Sequence, residues 1–126
     1  MQAILGYLIV FVGAGLGGAL RHAANRVALA FGWTFPWHTL LVNVSGCLLI
    51  GMVAGWFAFR GESGQDVRLF LTTGVIGGFT TFSAFSLDVA LLWERGEVLS
   101  AALYIVGSVV LSVACVFLGL ALMRTQ

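Results

Sequence analysis

Lysine is absent from this 126-residue chain, proline occurs once, and charged residues of any kind make up only 9% of it. A soluble domain carries about 25% charged residues, so this scarcity excludes a water-exposed globule and leaves an integral membrane protein. The 60% hydrophobic content and the mean hydropathy of +1.06 say the same. Six arginines against five acids leave a formal charge of +1, which gives no reason to expect nucleic acid or an acidic partner. Cysteine is scarce too: Cys47 and Cys115 sit inside apolar runs, where they read as small hydrophobes rather than disulfide partners or metal ligands. Also missing are a Ser/His/acid arrangement, a metal-spaced His/Cys set and a phosphate-cradling loop, so no enzyme site is indicated.

What the chain does have is four hydrophobic runs, at about 3–30, 37–59, 67–93 and 98–123, each near the roughly 20 residues that span a bilayer core. They predict an all-α, single-domain membrane protein of four transmembrane helices. Trp33, Trp37 and Trp93 stand at run ends, where an interfacial aromatic belt belongs. The connections are short: a turn at 31–36 with Pro36 suited to a helix start, a polar loop RGESGQD at 60–66, and ERGE at 94–97. The first run follows no Lys or Arg and exceeds a signal-peptide core in length, so a retained helix is expected.

The third run contains TTGVIGGFTTFSAFS at 72–86, around which the rest is organised. Paired Gly77 and Gly78 and a series of hydroxyls compete with the helical backbone ladder, predicting a helix broken or loosened in mid-membrane. Irregular backbone at that depth is tolerated only where it is buried in protein or lines a wet cavity. The stretch therefore reads as a pathway or a site.

With four spans both termini share a side. One side then holds Arg60, Arg68 and Arg124, and the other Arg21, Arg26 and Arg95, three against three. Because Lys/Arg excess in loops sets orientation, a chain without excess has little to choose between its two insertions, and dual topology follows as an expectation. Gly13/Gly17 and Gly51/Gly55 form GxxxG pairs. Such pairs allow close helix approach, and with the absent charge bias they point to an oligomer, most simply a dimer with its axis in the membrane plane.

Polar residues inside the runs must find partners, since lipid offers none. Asn43 is either interhelical glue or a pathway donor, and Arg21 either a structural anchor or an anion-facing charge. His38, beside Trp37, reads as interfacial and is given no chemistry. Tyr104, Ser108 and Ser112 recur every four residues and share one helix face, as a hydroxyl track or as small residues easing helix contact, the latter fitting Tyr104 less well. Asp88 is the lone carboxylate of the third run and reads as a capping or pairing group near the surface. Hydroxyls, an amide and the positive edges of Phe rings are donors suited to a small anion, with no carboxylate ring to repel it.

GGFTTFSAFS in the third run, GALRH closing the first, TLLVNVSG in the second and Tyr104/Ser108/Ser112 in the fourth together resemble the CrcB/Fluc fluoride channel family. The resemblance covers all four spans. It implies an antiparallel, dual-topology homodimer in the inner (plasma) membrane, with two pores that pass fluoride passively and lower its cytoplasmic level. It implies also that Phe82 and Phe85 line the pores, with Thr81 and Ser83 beside them, that Asn43 contributes a donor, that Tyr104, Ser108 and Ser112 form a polar track, and that Arg21 belongs to the pathway. A structural sodium ion at the dimer interface, held by backbone carbonyls of Gly77 and Thr80 from both subunits, is a further implication. His38 and Ala84 depart from the family pattern, standing where Gly and a hydroxyl residue are expected.

The rival is a small proton-coupled multidrug exporter, likewise short, four-span and able to insert both ways. It needs a titratable carboxylate in the membrane, and the first run has no Asp or Glu. A non-transporting assembly subunit would leave the broken helix and the hydroxyl track without a purpose.

Overall fold

A computed structural model describes residues 1–61 and 64–125; Glu62 and Ser63 of the polar loop and Gln126 lie outside the described residues. Its elements are α1 (Gln2–Ala30), α2 (Trp37–Arg60), α3 (Gln65–Leu69), a π-helical stretch (Phe70–Ile76), α4 (Gly77–Phe79), α5 (Phe82–Glu94) and α6 (Val98–Arg124). Among the described residues there is no strand. Four segments are long and apolar enough to cross a membrane: Ala3–Ala30, Trp37–Arg60, Gln65–Glu94 and Val98–Arg124. The chain is a multi-pass membrane protein with a broken third span.

Close helix approach explains where the glycines fall. A Cβ on Gly13 would stand 2.8 Å from the Cα of Gly74, and one on Gly17 would stand 2.7 Å from the backbone nitrogen of Phe79. On the other side a Cβ on Gly119 would stand 2.7 Å from the nitrogen of Met52. So α1 lies backbone to backbone against the π stretch and α4, while α2 pairs with α6. Both GxxxG pairs are thus used inside one chain: Gly13/Gly17 against the third span, Gly51/Gly55 against α6. The oligomer face anticipated from them is not where the glycines are.

Helix ends follow local chemistry. Pro36 is the N-cap residue of α2, and Gly61 closes α2 at φ 67°, a left-handed position that glycine adopts without a Cβ penalty. Gly96, at φ 75°, turns the chain between α5 and α6, with Gly96 N–H donating to Trp93 O (2.9 Å) and Glu97 N–H to Leu92 O (2.9 Å). The buried core is small, consisting of Phe85, Leu92, Ala101 and Tyr104 with Phe35, Leu40 and Val89 packed against it. Most large apolar side chains face outward, as they should where the solvent is lipid.

Candidate functional site

The third span breaks at Thr80 and Thr81, whose backbones are extended (φ/ψ −79°/158° and −154°/124°). The break falls within the 72–86 stretch, at its hydroxyls and just beyond the glycine pair. Gly77 and Gly78 themselves are helical, and a Cβ on Gly78 would stand 2.8 Å from the Cα of Ala14, so only glycine fits this approach to α1. Upstream, the π-helical stretch loosens the ladder, and the Thr72 hydroxyl bonds back to Arg68 O at 2.8 Å.

Asn43 stabilises the break. Its Nδ2 donates to Thr81 O (2.9 Å) and its Oδ1 accepts from Thr81 N–H (2.8 Å), so a side-chain amide replaces the missing helical partners. In a continuous helix Thr81 N–H would bond the Gly77 carbonyl; here it goes to Asn43, which releases that carbonyl at an exposed glycine. The Thr81 hydroxyl caps α5, accepting from Ala84 N–H at 3.2 Å and lying 3.2 Å from Ser83 Oγ. Thr80 turns its hydroxyl back to Ile76 O (3.0 Å).

Two cavities meet at this break. The first, of about 280 Å³, is lined by Asn43, Cys47, Thr80, Thr81, Phe82, Phe85, Ser108 and Ser112 among others. Ser108 is 6% exposed and its Oγ is buried without a hydrogen-bond partner, a donor left over after folding. Asn43 likewise keeps one of its two amide hydrogens after serving Thr81. Phe82 and Phe85 lie 5.5 Å apart at 46°, Phe85 buried and Phe82 78% exposed. The second cavity, of about 530 Å³, is lined by Arg21, His22, Asn25, His38, Thr39, Thr81 and Ser83 among others. Thr81 belongs to both walls.

Of the residues singled out in the sequence, Asn43, Thr81, Phe82, Phe85, Ser108 and Ser112 converge on the first cavity and Arg21 and Ser83 on the second. Tyr104 is not among the first cavity's lining residues. It is 1% exposed, packs its ring against Phe85 (5.1 Å) and Phe35 (5.5 Å), and donates its hydroxyl to Asp88 Oδ2 at 3.0 Å. Of the two roles read for Asp88, capping and pairing, the structure shows pairing, with Tyr104. Cys47 was read as packing, yet it stands one helical turn beyond Asn43 and shares its cavity wall. His38 has no chemistry assigned to it in the sequence, and no periodicity links it to His22; the approach of α1 to the start of α2 brings them together.

The fold and this site define a small multi-pass membrane protein whose broken span carries hydrogen-bond donors into the bilayer core. The family described as CrcB-like protein, Camphor Resistance (CrcB) matches residues 8–120, and the chain belongs to that family. It is 60% identical over 121 residues to Fluoride-specific ion channel FluC 2 of Nitrobacter hamburgensis, covering 95% of this chain and 98% of that one. It is 60% identical over 119 residues to Fluoride-specific ion channel FluC of Rhodopseudomonas palustris strain BisB5, covering 94% and 96%. The corresponding Methylobacterium nodulans protein is 54% identical over 121 residues, covering 96% and 98%.

Proposed function

We propose that this protein is a fluoride-selective passive channel that lowers cytoplasmic fluoride. The observation that carries the reading is the first cavity, where the unpartnered Ser108 hydroxyl, the free Asn43 amide hydrogen and the Phe82 and Phe85 rings meet with no Asp or Glu in the wall. Fluoride is small and tightly hydrated, so it enters a bilayer only where donors replace its water. Several weak donors in series replace that water while still letting the ion leave. The names of the relatives support the choice of fluoride among small anions. An exporter driven by protons needs a titratable carboxylate in the membrane, and α1 has no Asp or Glu.

The working form is an antiparallel homodimer. Phe82 and Gly77 are exposed on a single chain at the very stretch that carries the site, which supports a second copy completing the pathway. The balanced arginine count supports insertion both ways. At the dimer centre the released Gly77 carbonyl and the Thr80 carbonyl would hold a sodium ion. Their neutral oxygens suit a hard monovalent cation, and among the described residues no group of His, Cys, Asp and Glu offers a different kind of metal site. The ion would supply a fixed positive charge that ties two broken helices together.

The deciding experiment is anion efflux from liposomes containing the purified protein, followed with fluoride and chloride electrodes. Fluoride release without chloride release is the expected result; equal release of both, or release of neither, rejects the reading.

A further inference from the structure

We propose that His38, with His22 and Arg21, forms an anion-collecting site at the mouth of the pathway, and that this site tightens when the histidines are protonated. It deepens the fluoride-channel reading and rests on it. The second cavity, at about 530 Å³, has ample room for a hydrated halide. Arg21 and His22 enter its wall from α1 and His38 from the first turn of α2.

The charge balance in this cavity is one-sided. Arg21, His22 and His38 are its ionisable lining groups, and no carboxylate is among them. α5 contributes Thr81, Ser83, Ala84 and Leu87, none of which carries charge. The Asp88 carboxylate one residue further on accepts the Tyr104 hydroxyl of α6 at one oxygen, and neither residue is among this cavity's lining residues. A low-dielectric cleft lined by one sign of charge concentrates the opposite ion.

His38 is the residue of this set with an unmet bond. Its Nδ1 is buried and has no hydrogen-bond partner, and a buried polar atom left unpaired is costly. Protonated imidazole donates from both nitrogens and carries a full positive charge, which at His38 adds to that of Arg21 in the same cavity wall. Protonation of the two rings adds up to two charges beside the permanent one on Arg21. Thr81 lines this cavity and also the first, whose wall holds the donors of Asn43 and Ser108.

Two measurements test this. In the first, fluoride current through bilayers holding the purified protein is recorded at pH 7.5 and pH 5.5, equal on both sides, with the leak of protein-free bilayers subtracted. Wild type should carry about two- to fourfold more current at pH 5.5 in low salt. An impermeant salt at about 1 M should erase most of the difference. His38→Gln should flatten the pH ratio, and His38→Arg should hold the current high at both pH values. A wild-type ratio of one, or an undiminished ratio in His38→Gln, overturns the proposal.

In the second, histidine ring resonances of the purified protein in detergent are titrated with an impermeant anion or with fluoride at constant ionic strength. Fluoride should raise the His38 midpoint by roughly half a pH unit, because an anion that prefers the protonated ring must favour protonation. A midpoint indifferent to fluoride overturns the site, even where the channel conducts. A shifted midpoint in a protein that passes no fluoride would instead keep the site and reject the channel reading.

Discussion

Asn43 and Thr81, 38 positions apart, exchange two hydrogen bonds at 2.9 and 2.8 Å, and the third membrane span is interrupted at the residue they share. The amide substitutes for a stretch of peptide backbone. It supplies one donor and one acceptor at a spacing that no aliphatic or hydroxyl side chain reproduces.

Asn43→Ala should therefore destabilise the protein by about 2–4 kcal/mol, since both Thr81 backbone groups lose their partner inside the bilayer. Thermal unfolding in detergent measures this directly. Asn43→Asp keeps the acceptor for Thr81 N–H but loses the donor and faces the anion with a carboxylate. Its fluoride flux should fall roughly tenfold or more in whatever fraction remains folded.

Phe82 and Phe85 should act on the anion through their ring edges, which carry partial positive charge that an aliphatic group of similar bulk lacks. Phe82→Ile and Phe85→Ile are expected to express and assemble near the wild-type level while conducting far less fluoride. Phe79→Ile, outside the first cavity's lining residues, should change flux much less. Equal conduction by all three variants in liposome efflux would reduce the phenylalanines to packing.

Two glycines separate constraints within a chain from constraints between chains. Gly17 faces the backbone of Val75 and Phe79, so Gly17→Ala should prevent α1 from docking and abolish folded protein. A Cβ on Gly77 meets only Thr72 O, at an ordinary 3.4 Å, so Gly77→Ala should leave a single chain well folded. If Gly77 approaches a cation or a second copy, Gly77→Val should impair dimer assembly on size-exclusion chromatography. Thr80→Ala, which keeps the carbonyl, should be mild.

Tyr104 and Asp88 are unequal partners. Tyr104→Phe strips the donor from a carboxylate inside a membrane helix and should cost about 1–3 kcal/mol in thermal stability. Asp88→Asn still offers an oxygen to the Tyr104 hydroxyl and should cost less. The reverse order would place the hydroxyl elsewhere.

Topology is open to a direct test. Terminal reporters on the unmodified chain should be active on both sides of the membrane, because three arginines stand against three at the two ends of the spans. Two or three added lysines in the 60–66 loop should drive that loop to the cytoplasm and lower activity where both orientations are needed for one dimer.

The four spans were legible because hydropathy and length read out the bilayer constraint, which acts on each segment separately. The break within 72–86 was legible from its glycines and hydroxyls, but which of them would leave the helix was not: Gly77 and Gly78 stay helical, and the chain opens at Thr80 and Thr81, where Asn43 offers the backbone new partners. The GxxxG pairs were visible as close-packing signals, yet nothing in a spacing says whether the neighbour is the same chain, as it proves to be for both. Four-residue spacing put Tyr104 on the face of Ser108 and Ser112, while the length of its side chain carries the hydroxyl away to Asp88. Asn43, Phe82 and Phe85 could be singled out from residue type and depth alone. His38 could not, since its cavity forms only when α1 meets α2.

Thr81 is wall to both cavities, and this bears on where a voltage acts. An electric potential drops least through wide polar space and most across the thin partition between two such spaces. A monovalent anion gains about 2.3 kcal/mol for each 100 mV it crosses, and an ion passing from one cavity to the other does so beside the one threonine that lines both. Current through the protein should accordingly bend with voltage at the step past Thr81, and a bulkier or smaller side chain there should change the curvature of the current–voltage relation more than its slope at zero volts.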